Sequence, residues 1–331
     1  MSTSIIRISA SKYMHMCALL LSLSLLAATP GISRAQDGRL LDTSTVELKE
    51  EDLKKLQANI PDLPQILAAV DIQAITYLSD GLKIKGYMLS PRVGSKLPAI
   101  IFNRGGNGTL GAVTDTAAAA VLARIASWGY VVVASNYRGS MGSEGKDEFG
   151  GRDVNDVLNL LPLLKENPQV DSSRIGMVGR SRGAINTYLA LTRTDQITAA
   201  VVDAGVTDLS GMLKDRPEMG QVLEDLIPDY AKDKAAAEAS RSAILWVDKL
   251  NKKTPLLLTQ GSADWRVNPA RTLTMASKLL ENKHPFRLVM FDGGDHSLTE
   301  HRKEADRLMR EWLDRYVRDK EALPNLEPHG R

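Results

Sequence analysis

Cysteine is almost absent from this sequence, because Cys17 is the only one in 331 residues. A disulfide framework, a cysteine-rich metal site and a thiol nucleophile each need cysteines in the mature chain. Cys17 lies within an N-terminal segment that has the pattern of a cleavable leader, so the mature chain would contain none. The fold must then be stabilised by a hydrophobic core, which a chain of this length can bury.

The sequence also has almost no excess of charge of either sign, and it has few aromatic side chains. The formal net charge is +2, and only 5% of the residues are Phe, Trp or Tyr. Proteins that bind nucleic acid usually carry a basic stripe, often with interleaved aromatic residues, and the sequence has no such stripe. We therefore expect no nucleic-acid partner. The sequence does not determine the oligomeric state.

Cofactor and metal motifs are missing or weak. There is no Walker A sequence, no H-E-x-x-H motif and no clustered carboxylate–histidine spacing, so no metal is expected. Gly106, Gly108 and Gly111 fit the dinucleotide pattern G-x-G-x-x-G, which is weak when it stands alone. The next strand ends near Arg138, which suits a 2′-phosphate, but the export signal described below argues against a nicotinamide cofactor. No cofactor is expected.

The N-terminus has the features of a secretory signal peptide. Two basic residues, Arg7 and Lys12, precede an apolar run at 17–28, and small residues ending at Ala35 suit a cleavage point. We expect cleavage after Ala35 and export of the mature chain, periplasmic or secreted. The alternative is an uncleaved anchor, but the apolar run is too short to span a membrane comfortably. No stable membrane association is expected after cleavage.

Beyond residue 71 the sequence alternates between strand-like and helix-like segments. Residues 72–77 and 82–87 alternate apolar and polar residues around Ser79-Asp80-Gly81, which predicts a β-hairpin. Short apolar runs predict strands at Leu97–Phe102, Tyr130–Ser135, Ile175–Val178, Ala199–Val202, Pro255–Thr259 and Phe286–Phe291. Helices are predicted at 113–127, 151–165, 182–193, 268–282 and 297–318. This alternation predicts an α/β fold: a mostly parallel sheet with helices on both faces and an antiparallel hairpin at its start.

The remaining segments complete the expected domain organisation. Residues 36–71 are predicted to form a polar leader with a helix near 50–57, and residues 72–318 to form the main domain. Residues 207–250 look helical and polar, and they interrupt the strand–helix alternation as a small lid would. Residues 319–331 form a tail with proline and charged residues, which we expect to be mobile.

The main chemical signal is the segment Gly179-Arg180-Ser181-Arg182-Gly183, a G-x-S-x-G motif. It follows a predicted buried strand directly and precedes a predicted helix. In α/β-hydrolases the reactive serine projects from such a tight strand-to-helix turn, where glycines remove steric clashes. The alternative is an ordinary glycine-rich turn with a solvated serine, which the strand–turn–helix context disfavours. We therefore expect Ser181 to be a nucleophile.

A serine nucleophile needs a histidine base and an orienting carboxylate. Outside the predicted signal peptide the histidines are His284, His296, His301 and His329. Catalytic groups of open parallel sheets gather where the strands end. His296 follows the last strand and precedes a helix, so it is the expected base. Asp264, in the turn after the preceding strand, is the expected acid.

Two other carboxylates are rivals for the role of the acid. Asp203 follows an earlier strand, and Asp295 is adjacent to His296. Adjacent residues rarely bring their side chains together in the required geometry. Asp264 also gives the chain order serine, acid, histidine that α/β-hydrolases show. The predicted catalytic residues are therefore Ser181, Asp264 and His296.

The tetrahedral intermediate of acyl transfer needs two backbone N–H donors, which form an oxyanion hole. One donor is expected at Arg182, the residue after the serine. The other is expected in the glycine-rich loop after the first central strand, at Gly105 or, as second choice, at Gly106.

Further segments extend this pattern. They are Asn136-Tyr137-Arg138-Gly139-Ser140-x-Gly142, Asp153 at the start of a helix, Asp171-x-x-Arg174-Ile175-Gly176, Gln260-Gly261-x-x-Asp264-x-x-Val267 and Gly294-Asp295-His296. With the G-x-S-x-G motif, they make residues 72–318 resemble the catalytic domain of the prolyl oligopeptidase (S9) serine peptidases. Dienelactone-hydrolase-like esterases share much of this pattern. The resemblance implies the α/β-hydrolase fold and hydrolysis through an acyl-enzyme. Family peptidases usually carry an N-terminal β-propeller, for which too few mature residues precede the core.

Arginines occupy positions where relatives usually have other residues. Arg180 and Arg182 flank the serine, and Arg104 stands at a loop position that often holds Tyr or His. One interpretation is that Arg104 or Arg182 binds a substrate carboxylate. The alternative is that these arginines pair with acids of the chain itself, such as Glu144 or Asp203.

Two classes of function are consistent with these observations. The first is a serine hydrolase of a small peptide or ester substrate, and the sequence does not separate a peptidase from a carboxylesterase. The second is a non-catalytic binding protein with the same fold. The presence of all three catalytic residue types, in the expected order, disfavours the second class.

Overall fold

The computed structural model describes residues 36–330. The predicted signal peptide, residues 1–35, lies outside the described residues. Within the described part, no helix has both the length and the apolar character needed to cross a bilayer.

A nine-stranded sheet forms the centre of the molecule, in the order β1-β2-β3-β5-β4-β6-β7-β8-β9. The strands are β1 Leu40–Thr45, β2 Val70–Ser79, β3 Leu82–Pro91, β4 Leu97–Asn103, β5 Val131–Ser135, β6 Val170–Arg180, β7 Ile197–Asp203, β8 Leu256–Gly261 and β9 Phe286–Phe291. β1, β2 and β3 are antiparallel to their neighbours in the sheet. The other six strands, β4 to β9, are parallel to one another. The predicted fold class is confirmed.

The central strands are buried on both faces, which explains why β4 and β5 are apolar along almost their whole length. In β4, Ile101 packs into one hydrophobic core, whereas Ile100 and Phe102 pack into the other. Successive side chains of a strand point to opposite faces. A strand with helices on each side therefore needs apolar residues at every position, as the sequence pattern of the central strands indicates.

Helices cover the two faces. They are α1 Glu50–Asn59, α2 Leu63–Ala69, α3 Asp115–Ala117, α4 Ala123–Ser127, α5 Asp153–Leu158, α6 Leu160–Glu166, α7 Gly183–Leu191, α8 Leu209–Asp215, α9 Met219–Leu226, α10 Lys234–Ala239, α11 Pro269–Glu281 and α12 Arg302–Leu313. A π-helical turn, Ala118–Leu122, connects α3 to α4, and another, Asp314–Arg318, extends α12. The helices α5, α6, α7 and α11 pack on one face, and α2, α4 and α12 pack on the other.

The segment predicted as a leader contributes a strand to the sheet. β1 pairs with β2, with Leu40 opposite Tyr77 and Thr45 opposite Gln73. The sequence pattern did not reveal β1 because all but one of its residues are exposed, so it lacks the apolar alternation of a half-buried strand.

The segment 207–250 lies between β7 and β8 and contains α8, α9 and α10. It packs on a small hydrophobic cluster of its own, in which Leu209, Met212 and Leu223 contact Phe149 and Ile185 of the main domain. The insertion is therefore anchored by apolar contacts, although its sequence is largely polar.

Candidate active site

The serine of the G-x-S-x-G motif lies in the sharp turn between β6 and α7. Ser181 has a φ of 55°, a left-handed backbone conformation that non-glycine residues rarely adopt. The turn is fixed by its backbone, since the N–H of Ser181 donates to the carbonyl of Asp203 at 2.9 Å. A Cβ at Gly183 would lie 2.0 Å from the carbonyl oxygen of Asn103, and one at Gly179 would lie 2.2 Å from Thr187 Oγ1. Both glycines are therefore required by the close approach of neighbouring atoms.

The structure brings the three predicted catalytic side chains together. Nε2 of His296 lies 3.0 Å from Oγ of Ser181, and Nδ1 of His296 lies 2.8 Å from Oδ2 of Asp264. Asp264 follows β8, Ser181 follows β6 and His296 follows β9, so all three occupy the carboxyl edge of the parallel strands. Both distances are those of hydrogen bonds.

The carboxylate of Asp264 is held in its ionised form. Its side chain is buried, which by itself would raise the pKa. Hydrogen bonds from His296, from the N–H of Val267 and from the Gln260 amide outweigh the burial and lower the pKa below its usual value. The ionised carboxylate fixes the imidazole orientation, with Nδ1–H toward Asp264 and Nε2 toward Ser181.

The rival carboxylates are engaged elsewhere. Asp203 accepts a hydrogen bond from Thr259 Oγ1 at 2.9 Å, and its other oxygen lies 3.7 Å from the Arg180 guanidinium. Asp295 accepts from the N–H groups of Ser297 and Thr299. Neither forms a hydrogen bond with the His296 ring.

Two of the other histidines are also engaged away from Ser181. Nε2 of His284 lies 3.0 Å from the carbonyl oxygen of Thr254, at the opposite end of the sheet from Ser181. The ring of His301 packs against Phe291, and its Nε2 contacts the carbonyl oxygen of Asp292. His296 is therefore the histidine that the fold brings to the serine.

Gly105 lies directly beside Ser181. A Cβ at Gly105 would come within 2.9 Å of Cβ of Ser181 and 3.5 Å of its Oγ. Among the described residues, the N–H groups of Gly105 and Arg182 form no hydrogen bond to protein acceptors. Both donors are thus free next to the serine hydroxyl. Gly106, the second choice, accepts a hydrogen bond from the Arg182 side chain through its carbonyl at 3.0 Å, but a Cβ placed on it would contact Leu110 rather than Ser181.

The side chain of Arg182 does not reach toward a substrate, and the prediction that it binds a substrate carboxylate is wrong. Its guanidinium makes two hydrogen bonds to Asp147, at 2.7 and 2.5 Å, and one to Asp153 at 2.9 Å. Only 3% of the side chain is exposed. The ion pair forms with Asp147 and Asp153 rather than with Glu144 or Asp203, and these two partners were not predicted.

Arg104 is likewise a structural residue, and its predicted role in binding substrate is wrong. It is 1% exposed, and its guanidinium donates to the backbone carbonyls of Gly105, Gly108, Leu110 and Asn136. These hydrogen bonds hold the loop that contains Gly105 in place, because four of its neighbouring carbonyls bind the same guanidinium group of Arg104. Its Nη1 and Nη2 groups are engaged by these carbonyls, and its Nε–H is buried without a partner. The guanidinium is therefore not accessible to a substrate carboxylate.

A pocket of about 450 Å³ opens above Ser181 and His296. Its apolar wall is formed by Val113, Val121, Leu122, Val206, Met212 and Met219. The two methionines belong to the inserted segment 207–250, so this insertion forms part of the wall. The volume is that of a typical small-molecule or peptide side-chain site.

The fold and the serine–histidine–aspartate arrangement define an α/β-hydrolase. A sequence profile of the prolyl oligopeptidase family, peptidase family S9, matches residues 116–320. The chain belongs to this family and is a serine hydrolase.

Proteins from bacteria and from human are similar in sequence to the chain. It is 28% identical over 243 residues to the uncharacterized peptidase YtmA of Bacillus subtilis (strain 168), covering 73% of this chain and 91% of YtmA. It is 26% identical to dipeptidyl-peptidase 5 of Porphyromonas gingivalis and 27% identical to the acylamino-acid-releasing enzyme of Homo sapiens. These matches cover 59% and 58% of this chain but only 30% and 28% of those two proteins.

Solved structures share the fold. The acylaminoacyl peptidase of Pyrococcus horikoshii superimposes with a TM-score of 0.67 at 24% identity, over 80% of this chain and 44% of the other. The acetyl xylan esterase of Paenibacillus sp. R4 superimposes with a TM-score of 0.62 at 15% identity, over 83% of this chain and 88% of the other. Peptidases and an esterase thus share this architecture, so the fold alone does not choose between their substrates.

Proposed function

We propose that the protein hydrolyses peptide bonds, with Ser181 as nucleophile, His296 as general base and Asp264 as the residue that orients the imidazole. The observation that carries this proposal is the chain of hydrogen bonds from Ser181 Oγ through His296 to Asp264. As Oγ attacks the carbonyl carbon, Nε2 of His296 accepts its proton. The ionised Asp264 stabilises the imidazolium that forms.

The free N–H groups of Arg182 and Gly105 support a role in stabilising the tetrahedral intermediate. Its oxygen becomes negative when the carbonyl carbon is attacked, and two preorganised donors beside Ser181 would then face that charge. His296 next gives its proton to the leaving amine, which leaves an acyl group on Ser181. Water, deprotonated by the same imidazole, then releases the acyl product.

Membership of the prolyl oligopeptidase family supports a peptide substrate. YtmA and dipeptidyl-peptidase 5 are named as peptidases, and YtmA is matched along most of its length. A direct comparison of hydrolysis rates for different substrates shows which peptides are cleaved. The same comparison shows whether short esters are cleaved as well.

A fluorophosphonate probe tests the proposal first, because only an activated serine reacts with it. We expect labelling of the wild-type protein and none of Ser181→Ala. Hydrolysis of aminoacyl p-nitroanilides and p-nitrophenyl esters is then measured side by side. Cleavage of anilides supports a peptidase, and cleavage of esters alone would replace this proposal by a carboxylesterase. Labelling that persists in Ser181→Ala would contradict the assignment of the nucleophile.

We also propose that the protein acts outside the cytoplasm. The pattern of residues 1–35, with basic residues, a short apolar run and small residues ending at Ala35, supports this proposal. N-terminal sequencing of the protein from its native host should give Gln36 as the first residue. A cytosolic protein that still begins with Met1 would refute it.

A further inference from the structure

Five arginines line the pocket above Ser181, and they differ in how accessible they are. Arg104 and Arg182 are buried, and their guanidinium groups are occupied by carbonyls and carboxylates of the chain. Arg216 and Arg266 also line the pocket but are accessible. Arg266 is exposed, and 20% of the Arg216 side chain is exposed. Arg180, the fifth, is partly exposed, but its guanidinium lies 3.7 Å from the carboxylate of Asp203 and donates to the carbonyl of Ser297. Arg216 and Arg266 can therefore meet a ligand, whereas the buried pair cannot.

The guanidinium groups of Arg216 and Arg266 both contact the ring of Trp265. The guanidinium carbon of Arg266 lies 4.9 Å from the centre of the Trp265 ring, and that of Arg216 lies 5.4 Å from the same ring. Stacking on an aromatic ring orients a guanidinium while leaving its N–H groups free to donate. Trp265 is itself 67% exposed. It thus forms a platform for cations from two distant segments, the insertion and the turn after β8, both of which line the pocket.

Little negative charge opposes these cations. Arg216 forms an ion pair with Glu218 at 2.9 Å, but 61% of the Glu218 side chain is exposed, so the pair is weak and easily exchanged. Within residues 36–330, Arg266 forms no ion pair with a carboxylate. No aspartate or glutamate is among the described residues that line the pocket. A concave site lined by one sign of charge concentrates ligands of the opposite sign.

We propose that Arg216 and Arg266 form a subsite that binds a carboxylate of the substrate, so that the protein prefers acidic peptides. This inference rests on the proposed function, because it names the substrate class of the same site. Guanidinium groups recognise carboxylates through paired N–H donors, and the apolar wall binds the rest of the substrate. Arg266 lies two residues after Asp264, so its position is coupled to that of the catalytic turn: its N–H donates to Asp264 Oδ1 at 2.8 Å.

Matched chromogenic substrates test the preference. One pair is an acetylated dipeptide p-nitroanilide with Glu or Gln before the scissile bond. The other pair has a neutral dipeptide joined to 5-amino-2-nitrobenzoic acid or to its carboxamide, which places the carboxylate on the leaving group. We expect kcat/KM to be about tenfold higher for the acid in one of the pairs, and that pair shows on which side of the bond the carboxylate lies. The preference should shrink at high salt, because the cations are accessible to solvent.

Variants connect the preference to the two arginines. Arg216→Gln and Arg266→Gln together should reduce the ratio of kcat/KM for acid over neutral substrate by about tenfold, whereas Arg266→Lys should keep part of it because the charge remains. Arg287→Gln is the matched control, since Arg287 is exposed at the start of β9 and outside the pocket. It removes one positive charge and should leave the ratio unchanged.

The outcomes separate this inference from the proposed function. Absence of both fluorophosphonate labelling and hydrolysis would contradict the proposed function. Labelling with equal kcat/KM for acid and neutral members of both pairs would overturn the carboxylate subsite alone. A double variant that lowers kcat/KM for acid and neutral substrates by the same factor would also overturn it, because the arginines would then act only on the structure.

Discussion

Arg182 and Asp147 form a buried two-point ion pair one residue away from Ser181. Nη1 and Nη2 of the arginine lie 2.7 and 2.5 Å from the two carboxylate oxygens of Asp147, and 3% of each side chain is exposed. Burial by itself would raise the pKa of Asp147, but the adjacent guanidinium outweighs burial and lowers it. The charged side chain next to the nucleophile therefore anchors the elbow to the loop before α5.

Arg182→Ala should destabilise the fold rather than change substrate preference. Removing the guanidinium leaves Asp147 and Asp153 buried without their cation, and breaking a buried pair in this way typically costs about 3–5 kcal/mol. Urea unfolding measures the loss. Arg307→Ala, which breaks only exposed ion pairs on α12, should cost about 1 kcal/mol or less. A fall in kcat/KM for acidic substrates alone, at unchanged stability, would restore a substrate-binding role for Arg182.

Asp264→Asn should lower kcat by about 10⁴-fold while the protein stays folded. The amide can donate to Nδ1 and so favours the imidazole tautomer that cannot accept the Ser181 proton. Asp295→Asn serves as the control, because the Asp295 carboxylate accepts hydrogen bonds from Ser297 and Thr299 and none from His296, so this variant should keep nearly full activity. Steady-state kinetics on one substrate compare the two. A larger loss in Asp295→Asn would show that the acid has been misassigned.

Gly105→Ala should lower kcat by about 10²-fold. The new methyl group would lie 2.9 Å from Ser181 Cβ and 3.1 Å from the Arg180 carbonyl oxygen, so the loop must move and take its N–H donor away from the oxyanion position. Gly220→Ala in α9 is the control, since a Cβ there meets no atom within 4 Å. Similar kcat values for wild type and Gly105→Ala would remove this residue from the oxyanion hole.

His284 should make the protein less stable in acid. Burial lowers its pKa to about 4 from an ordinary value of 6.5. The unfolded chain therefore binds a proton that the folded chain does not, between these two values. Stability is full above pH 6.5 and falls as the pH decreases toward 4, by about 3 kcal/mol in total. Urea unfolding from pH 7.5 to 4 of wild type and His284→Gln tests this, and an equal pH dependence in both would exclude His284 as the cause.

The positions of Ser181, Asp264 and His296 could be predicted because topology determines them. Parallel strands with helices between them must place their carboxyl ends along one edge, and the three residues follow β6, β8 and β9. The order of motifs along the chain was therefore sufficient to bring together residues that are far apart in sequence.

The directions of the arginine side chains could not be predicted in the same way. Arg182 could face either the pocket or the interior from its place in the motif, and its partners, Asp147 and Asp153, lie in a separate loop and helix. Long side chains have many rotamers, so only tertiary contacts select one. The platform of Arg216, Trp265 and Arg266 was missed for the same reason, since no local pattern joins the insertion to the turn after β8.

The left-handed backbone at Ser181 sets the stability of this protein against its activity. A side chain at a φ of 55° costs about 1 kcal/mol or more relative to glycine. Ser181→Gly should therefore be more stable than the natural chain and at the same time inactive. Selection for thermal resistance alone would therefore favour that inactive variant. A directed-evolution screen on this scaffold must measure substrate turnover as well as stability.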